Sequence, residues 1–151
     1  MSVGIGYDSH RFGADRPLIL GGVEVPHSCG LEGHSDADVV THAVMDALLG
    51  AAGRGDIGTH FPPSDERWRD ANSLDLLRTV VGLTGGRIEN IDVTVICEQP
   101  RLAGHRGEME RLLSDVTSAR VNVKATTNEG MGWIGRAEGI AVIAVAQVDE
   151  G

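Results

Sequence analysis

His34-Ser35-Asp36-Ala37-Asp38-Val39-Val40-Thr41-His42-Ala43-Val44-Met45-Asp46 reads as the opening of a helix. Ser35 is a residue type that caps helix N-termini, and Asp38 three places on makes a Ser-x-x-Asp form of the capping box. Apolar residues then recur at Val39, Val40, Ala43, Val44, Ala47 and Leu48, at the helical period. The pattern predicts a helix over 35–50, closed by Gly50 to Gly53. Asp38, His42 and Asp46 are spaced by four, so they stack on one face. A histidine with a carboxylate one turn away on either side has the makings of a metal ligand with orienting partners, here Asp38 and Asp46. A solvated helix face is the alternative.

Upstream, Val3, Ile5 and Tyr7 alternate with Gly4, Gly6 and Asp8, so residues 2–11 read as a strand. Asp8 and His10 are two apart and point to the same side. Alone, an Asp-x-His pair is equally a hydrogen-bonded pair on a strand edge. With His42 brought up from the helix, the set becomes two histidines and one aspartate. Three protein ligands leave a fourth position for water or substrate, the arrangement of a working site rather than a closed structural one.

The remaining elements follow in order. Leu18 to Val25, with Gly21-Gly22 in the middle, predicts a hairpin. Pro26 to Gly33 reads as a loop delivering His34. Arg54 to Asp65 is a turn-rich loop of the kind that carries ligand contacts. A helix from Asn72 or Ser73 ends at Gly85-Gly86. A strand over 91–97, a helix over 102–116 with Met109 inward, and a strand over 121–125 come next. The unbroken apolar run 139–148 reads as a central strand. This order implies an α/β (α+β) single domain over residues 1–151, a mixed sheet with helices packed on one face. Its other face would be covered most simply by oligomerising.

A chain of 151 residues can bury a real core, and with aromatics at only 3% that core must be aliphatic. The formal net charge of −9 argues against nucleic-acid or anionic-membrane binding. An anionic substrate would then need metals, helix N-termini or a few arginines. Cys29 and Cys97 make neither a disulfide framework nor a metal motif, and both are expected reduced and buried. No leader and no apolar run of membrane-spanning length is evident, so the cytoplasm is the expected location.

A second polar cluster, Thr126-Thr127-Asn128-Glu129 followed by Arg136, offers hydroxyls for phosphate oxygens and a carboxylate for a hard cation such as Mg²⁺. Arg136 could neutralise an anion or simply pair with Glu138. Two cations flanking a diphosphate fit phosphoryl transfer. No Ser-His-Asp order, nucleophile elbow, Walker loop or dinucleotide fingerprint is present. The residues therefore point to a metal-dependent enzyme acting on a phosphorylated small molecule.

Several motifs together carry a resemblance. They are Gly6-Tyr7-Asp8-Ser9-His10-Arg11-Phe12, Gly21-Gly22-Val23, His34-Ser35-Asp36-Ala37-Asp38 with His42, and Asp46 to Gly50. Gly55-Asp56-Ile57-Gly58, Phe61-Pro62 with Ser64-Asp65, Lys124 to Glu129, and Gly135-Arg136 with Glu138-Gly139 complete the set. Collinear over nearly the whole chain, this set resembles the 2-C-methyl-D-erythritol 2,4-cyclodiphosphate synthases of the non-mevalonate (MEP) route of isoprene biosynthesis. The resemblance implies a lyase that is a homotrimer with active sites between subunits. Its substrate would be 4-diphosphocytidyl-2-C-methyl-D-erythritol 2-phosphate, with CMP released.

By that likeness Asp8, His10 and His42 hold zinc, and Glu129 helps to hold magnesium or manganese. His34 and Thr127 position the transition state. Substrate contacts fall to Ser35, to Asp56, Ile57 and Gly58, to Phe61, Ser64 and Asp65, and to Trp133 and Arg136. Cys97, Pro100, Arg101, Leu102 and Ala103, with Thr126, Thr127 and Asn128, would frame the cytidine and diphosphate from the adjoining subunit. Arg136 and Glu138 are also placed at the trimer axis. The chain departs from the family pattern at Pro63-Ser64, Arg101, Asn128 and Trp133. Two other readings remain open: a metal-dependent phosphohydrolase, and a non-catalytic trimer carrying an isoprenoid diphosphate in its axial cavity.

Overall fold

A computed structural model describes residues 1–151. The strands are β1 (Ser2–Ala14), β2 (Leu18–Leu20), β3 (Val23–Val25), β4 (Gly30–Leu31), β5 (Arg87–Ile96), β6 (Arg120–Thr126) and β7 (Gly139–Asp149). The helices are α1 (Val39–Ala51), α2 (Ile57–His60), α3 (Ser73–Thr84), α4 (Arg106–Thr117) and α5 (Gly132–Gly135). Five strands form a mixed sheet in the order β4-β1-β7-β5-β6, with β5 and β6 parallel and the other pairs antiparallel. The apolar β7 is central. The β2–β3 hairpin stands apart and turns on Gly21 and Gly22, both at positive φ.

Helices cover one face only. Helix α1 lies on β1 and β7, α4 on β6, and α3 bridges α1 and α4. The β1 alternation explains how closely α1 approaches. Gly4 and Gly6 face the helix, and a Cβ on them would sit 2.0 Å from the Ala47 carbonyl oxygen and 1.9 Å from that of Ala43. Glycine under a run of alanines lets the helix backbone rest on the strand. Asp8 and His10, the next two residues on that face, are thereby brought beneath the first turns of α1.

The larger apolar side chains of β1 point the other way. Val3, Ile5 and Tyr7 are exposed, and Ile5 and Tyr7 pair across the ladder with the exposed Val145 and Ile143 of β7. The unpaired sheet face expected from element order is present, and it is apolar at its centre. No helix is long and apolar enough to cross a membrane.

Several boundaries differ from the sequence reading, among them β5, which starts at Arg87 rather than at residue 91. Helix α1 begins at Val39 and is capped by Asp38, not Ser35, because Ala37 lies at φ 55°, outside the helical region. Helix α4 begins at Arg106, since Leu102 is buried in the core and residues 102–105 form a turn closed by His105 N–H to the Leu102 carbonyl. The 26–33 loop contains β4. The 54–65 loop contains α2, and the glycine-rich stretch 130–136 contains α5, both too short to show a period. Cys97 is buried as expected, whereas Cys29 is only half-buried; both are free.

Candidate active site

Three donor atoms converge where β1 passes under α1. Asp8 Oδ2 lies 2.9 Å from His10 Nε2 and 3.1 Å from His42 Nδ1, and the two nitrogens are 3.3 Å apart. Tetrahedral coordination with bonds of about 2.0–2.1 Å places donors about 3.3 Å apart, so this triangle fits one ion with an open side. Each imidazole has its outer nitrogen engaged. His10 Nδ1 donates to the Glu32 carbonyl at 2.7 Å. His42 Nε2 lies 3.0 Å from Ser35 Oγ. A carbonyl can only accept, so the proton of neutral His10 sits on Nδ1 and Nε2 presents its lone pair to the ion position.

The same contacts fix the charges. Burial pushes the Asp8 carboxyl up, but hydrogen bonds from the His10 imidazolium and from His42 outweigh it and hold the group at about 2. Burial lowers His10, and the Asp8 carboxylate beside it outweighs that and raises it. Asp8 is therefore ionised at any working pH, as a ligand must be.

Neither Asp38 nor Asp46 orients His42, contrary to the helix-face reading. Asp38 is buried and accepts from the amides of Gly21, Gly22 and Thr41 and from the hydroxyls of Thr41 and Ser73, at 2.8–3.0 Å. Those bonds join the hairpin, α1 and α3. Asp46 Oδ1 accepts from the Ile57 amide at 2.8 Å. Helix α1 puts both carboxylates one turn from His42, but each meets a longer-range partner, and Ser35 takes the orienting place.

The triangle opens into a cavity of about 250 Å³. His34, Ser35, Ile57, Gly58 and Phe61 line it, with Met45, Pro63, Trp68 and Leu76. His34 Nε2 is buried without a hydrogen-bond partner, so a polar acceptor or donor from a ligand would complete it. Asp56 caps α2 by accepting from the Thr59 amide and hydroxyl, which hold its carboxyl below the usual range. Ser64 and Asp65 lie on the intervening loop and do not line the cavity; Asp65 is paired with Arg67 at 2.6 Å.

A separate cleft of about 320 Å³ lies between the end of β5 and the end of β6. Cys97, Pro100, Arg101, Leu102, Ala103, Thr126 and Thr127 line it. Asn128 and Glu129 follow in a turn whose Asn128 and Gly130 amides both donate to Glu98 Oε1. Glu98 was missed by the sequence reading, because no spacing reveals a carboxylate that meets amides thirty residues away. The two clefts do not meet. Ser9, Ala141, Ile96 and Thr126 form one cross-strand row, so three strand spacings, about 14 Å, separate β1 from β6. His34 and Thr127 are not brought together within one chain, nor is Glu129 with the donor triangle. Trp133 lines a smaller hollow with Ser9, His10, Arg11 and Glu138, and Arg136 pairs with Glu138 at 2.8 Å.

The model of the YgbB family matches residues 1–149. The chain belongs to the YgbB family. Among its YgbB relatives is the protein named 2-C-methyl-D-erythritol 2,4-cyclodiphosphate synthase of Symbiobacterium thermophilum, 58% identical over 98% of each chain. A solved structure of a synthase of that name, in a CDP-bound form, superposes with a TM-score of 0.88 at 35% identity, over 97% of this chain and 99% of the other. The bifunctional IspDF of Campylobacter jejuni superposes with a TM-score of 0.92 at 41% identity. The match covers 96% of this chain and 41% of that longer one. The YgbB fold seen here is thus shared over essentially the whole chain.

Proposed function

We propose that this chain, acting as one domain over residues 1–151, is a 2-C-methyl-D-erythritol 2,4-cyclodiphosphate synthase of the non-mevalonate isoprenoid route. An oxygen of the 2-phosphate of 4-diphosphocytidyl-2-C-methyl-D-erythritol 2-phosphate attacks the β-phosphorus. The bond from that phosphorus to the bridging oxygen breaks, and CMP leaves with it. The observation that carries the reading is the Asp8–His10–His42 donor triangle beside the unpartnered Nε2 of His34, in a chain so similar end to end to proteins of that name.

Zinc at Asp8, His10 and His42, and magnesium or manganese at Glu129, would polarise phosphate oxygens and offset their mutual repulsion. The chain's own residues do the rest. His34 Nε2 meets a phosphate oxygen and places the attacking group in line. Ile57, Gly58 and Phe61 wall the methylerythritol and ribose, and keep water from competing as nucleophile. Thr126 and Thr127 hold the diphosphate by their hydroxyls, and the Cys97 to Ala103 segment frames the cytidine. Because attack is intramolecular, alignment by itself supplies several kcal/mol of the barrier reduction.

The separation of the two clefts supports a homotrimer in which the β6 side of one subunit completes the β1 side of its neighbour. The exposed Val3, Ile5, Tyr7, Ile143 and Val145 face supports the same assembly. Phosphorus NMR of the protein with the cytidine-diphospho substrate, zinc and magnesium tests the reaction. Paired cyclic-diphosphate signals with CMP are expected. CMP with an open bisphosphate would make water the nucleophile and the protein a phosphohydrolase.

A further inference from the structure

The segment that carries His34 is held by its carbonyls. Glu32 O accepts from His10, and His34 O accepts from the Asp70 amide at 2.9 Å. The two on either side of His34 go to one side chain. Arg16 Nη1 donates to Gly33 O at 3.0 Å and Nη2 to Ser35 O at 2.5 Å. Arg16 comes from the connection between β1 and β2 and belongs to neither the Gly6–Phe12 nor the Gly21–Val23 motif that flanks it. Its stem is itself seated, because a Cβ on Gly30 would come within 2.7 Å of Arg16 Cγ. The guanidinium is half-shielded, and its only acidic neighbour is the exposed Asp70 at 3.4 Å.

We infer that Arg16 is a positioning residue for the reaction: it brackets His34 by its flanking carbonyls, and through Ser35 sets the hydroxyl that orients His42. A rigid fork of donors on two nitrogens can span two carbonyls that flank one residue, where the three donors of a lysine all radiate from one nitrogen on a flexible stem. Two site groups depend on that grip. The His34 ring is aimed into the cavity from a backbone fixed on both sides. Ser35 Oγ stays 3.0 Å from His42 Nε2 only while the Ser35 backbone stays in place. Outer partners of metal-binding histidines are worth about 10–100-fold in affinity or activity when removed. This inference rests on the zinc-site and synthase reading given above.

The test compares wild type with Arg16→Lys and Arg16→Ala. Zinc affinity is read by competition with a chromophoric chelator. Metal geometry is read from the visible spectrum of the cobalt(II)-loaded protein, and kcat and KM are measured separately. Arg16→Lys is expected to keep its melting temperature near wild type, bind zinc roughly tenfold more weakly, show an altered cobalt spectrum, and lose roughly tenfold in kcat with little change in KM. Millimolar guanidinium is expected to restore part of the kcat of Arg16→Ala. A folded Arg16→Lys protein with wild-type zinc affinity, cobalt spectrum and kcat would overturn the inference, and it decides the matter if Arg16→Ala does not fold. Wild-type protein that takes up no zinc would overturn the metal-site reading beneath it. Wild-type protein that binds zinc without cyclising the substrate, with zinc binding still weakened in Arg16→Lys, would remove the synthase reading and leave the positioning role.

Discussion

Asp46 Oδ1 accepts a hydrogen bond of 2.8 Å from the backbone amide of Ile57, tying the middle of α1 to the first turn of α2. That bond places Ile57 and Gly58 on the wall of the cavity. Burial, with Asp56 and Asp8 nearby, raises the Asp46 carboxyl above its ordinary range, and the Ile57 amide only partly offsets this. A carboxyl raised in the folded state costs stability as pH climbs from its unfolded value, about 4, through its folded one. Asp46→Asn keeps an acceptor and removes the charge, so the metal-free variant is expected to melt no lower than wild type at pH 7. Asp46→Ala frees the Ile57 amide and is expected to raise KM several-fold. Thermal melts and steady-state kinetics of the two variants separate these effects.

Asp38 has a different task. Its five hydrogen bonds join the hairpin, α1 and α3 around a fully buried carboxylate. Asp38→Asn puts an NH₂ group against donors, and should cost about 3 kcal/mol of stability. Urea unfolding of the metal-free protein measures it, and a loss under about 1 kcal/mol would mean that the hub is not structural.

These two carboxylates show where the sequence was legible and where it was not. The strand period placed Asp8 and His10 on one side and the helix period placed His42 on a polar face, because both periods are local; that the three meet was legible only through the family resemblance, since it depends on α1 packing on β1. The Asn72 cap and Gly85 stop of α3 were legible too, as was the apolar run that became central β7. The partners of Asp38 and Asp46 were hidden, since Gly21, Gly22, Ser73 and Ile57 reach them only through tertiary packing. The start of α1 was misplaced because Ser35, Asp36 and Asp38 are all capping residue types, and nothing marks Ala37 as left-handed. The distance between the Thr126–Glu129 segment and the donor triangle was equally invisible, for it depends on β6 lying at the far edge of the sheet.

The outer sheet face gives a further expectation. Ile5 is 70% exposed in the isolated chain and pairs with Val145, itself exposed, across the β1–β7 ladder. Ile5→Asp would place a charge at the centre of the proposed subunit contact, where it has no partner. Sedimentation is expected to show a folded monomer without synthase activity. A variant that stays trimeric and active would move the contact to another face.

Subunit complementation tests the shared site most directly. His42→Ala lacks a donor of the triangle, and Glu129→Ala lacks the carboxylate, in the turn that follows the other cleft's Thr127, proposed to hold magnesium or manganese. Each alone should yield no cyclic diphosphate by phosphorus NMR. Unfolded together in equal amounts and refolded into mixed trimers, they should recover about a quarter of wild-type turnover, since one interface in four then joins two intact halves. Mixed trimers as inactive as either parent would mean that each chain carries its whole site, and would contradict a centre assembled from two subunits.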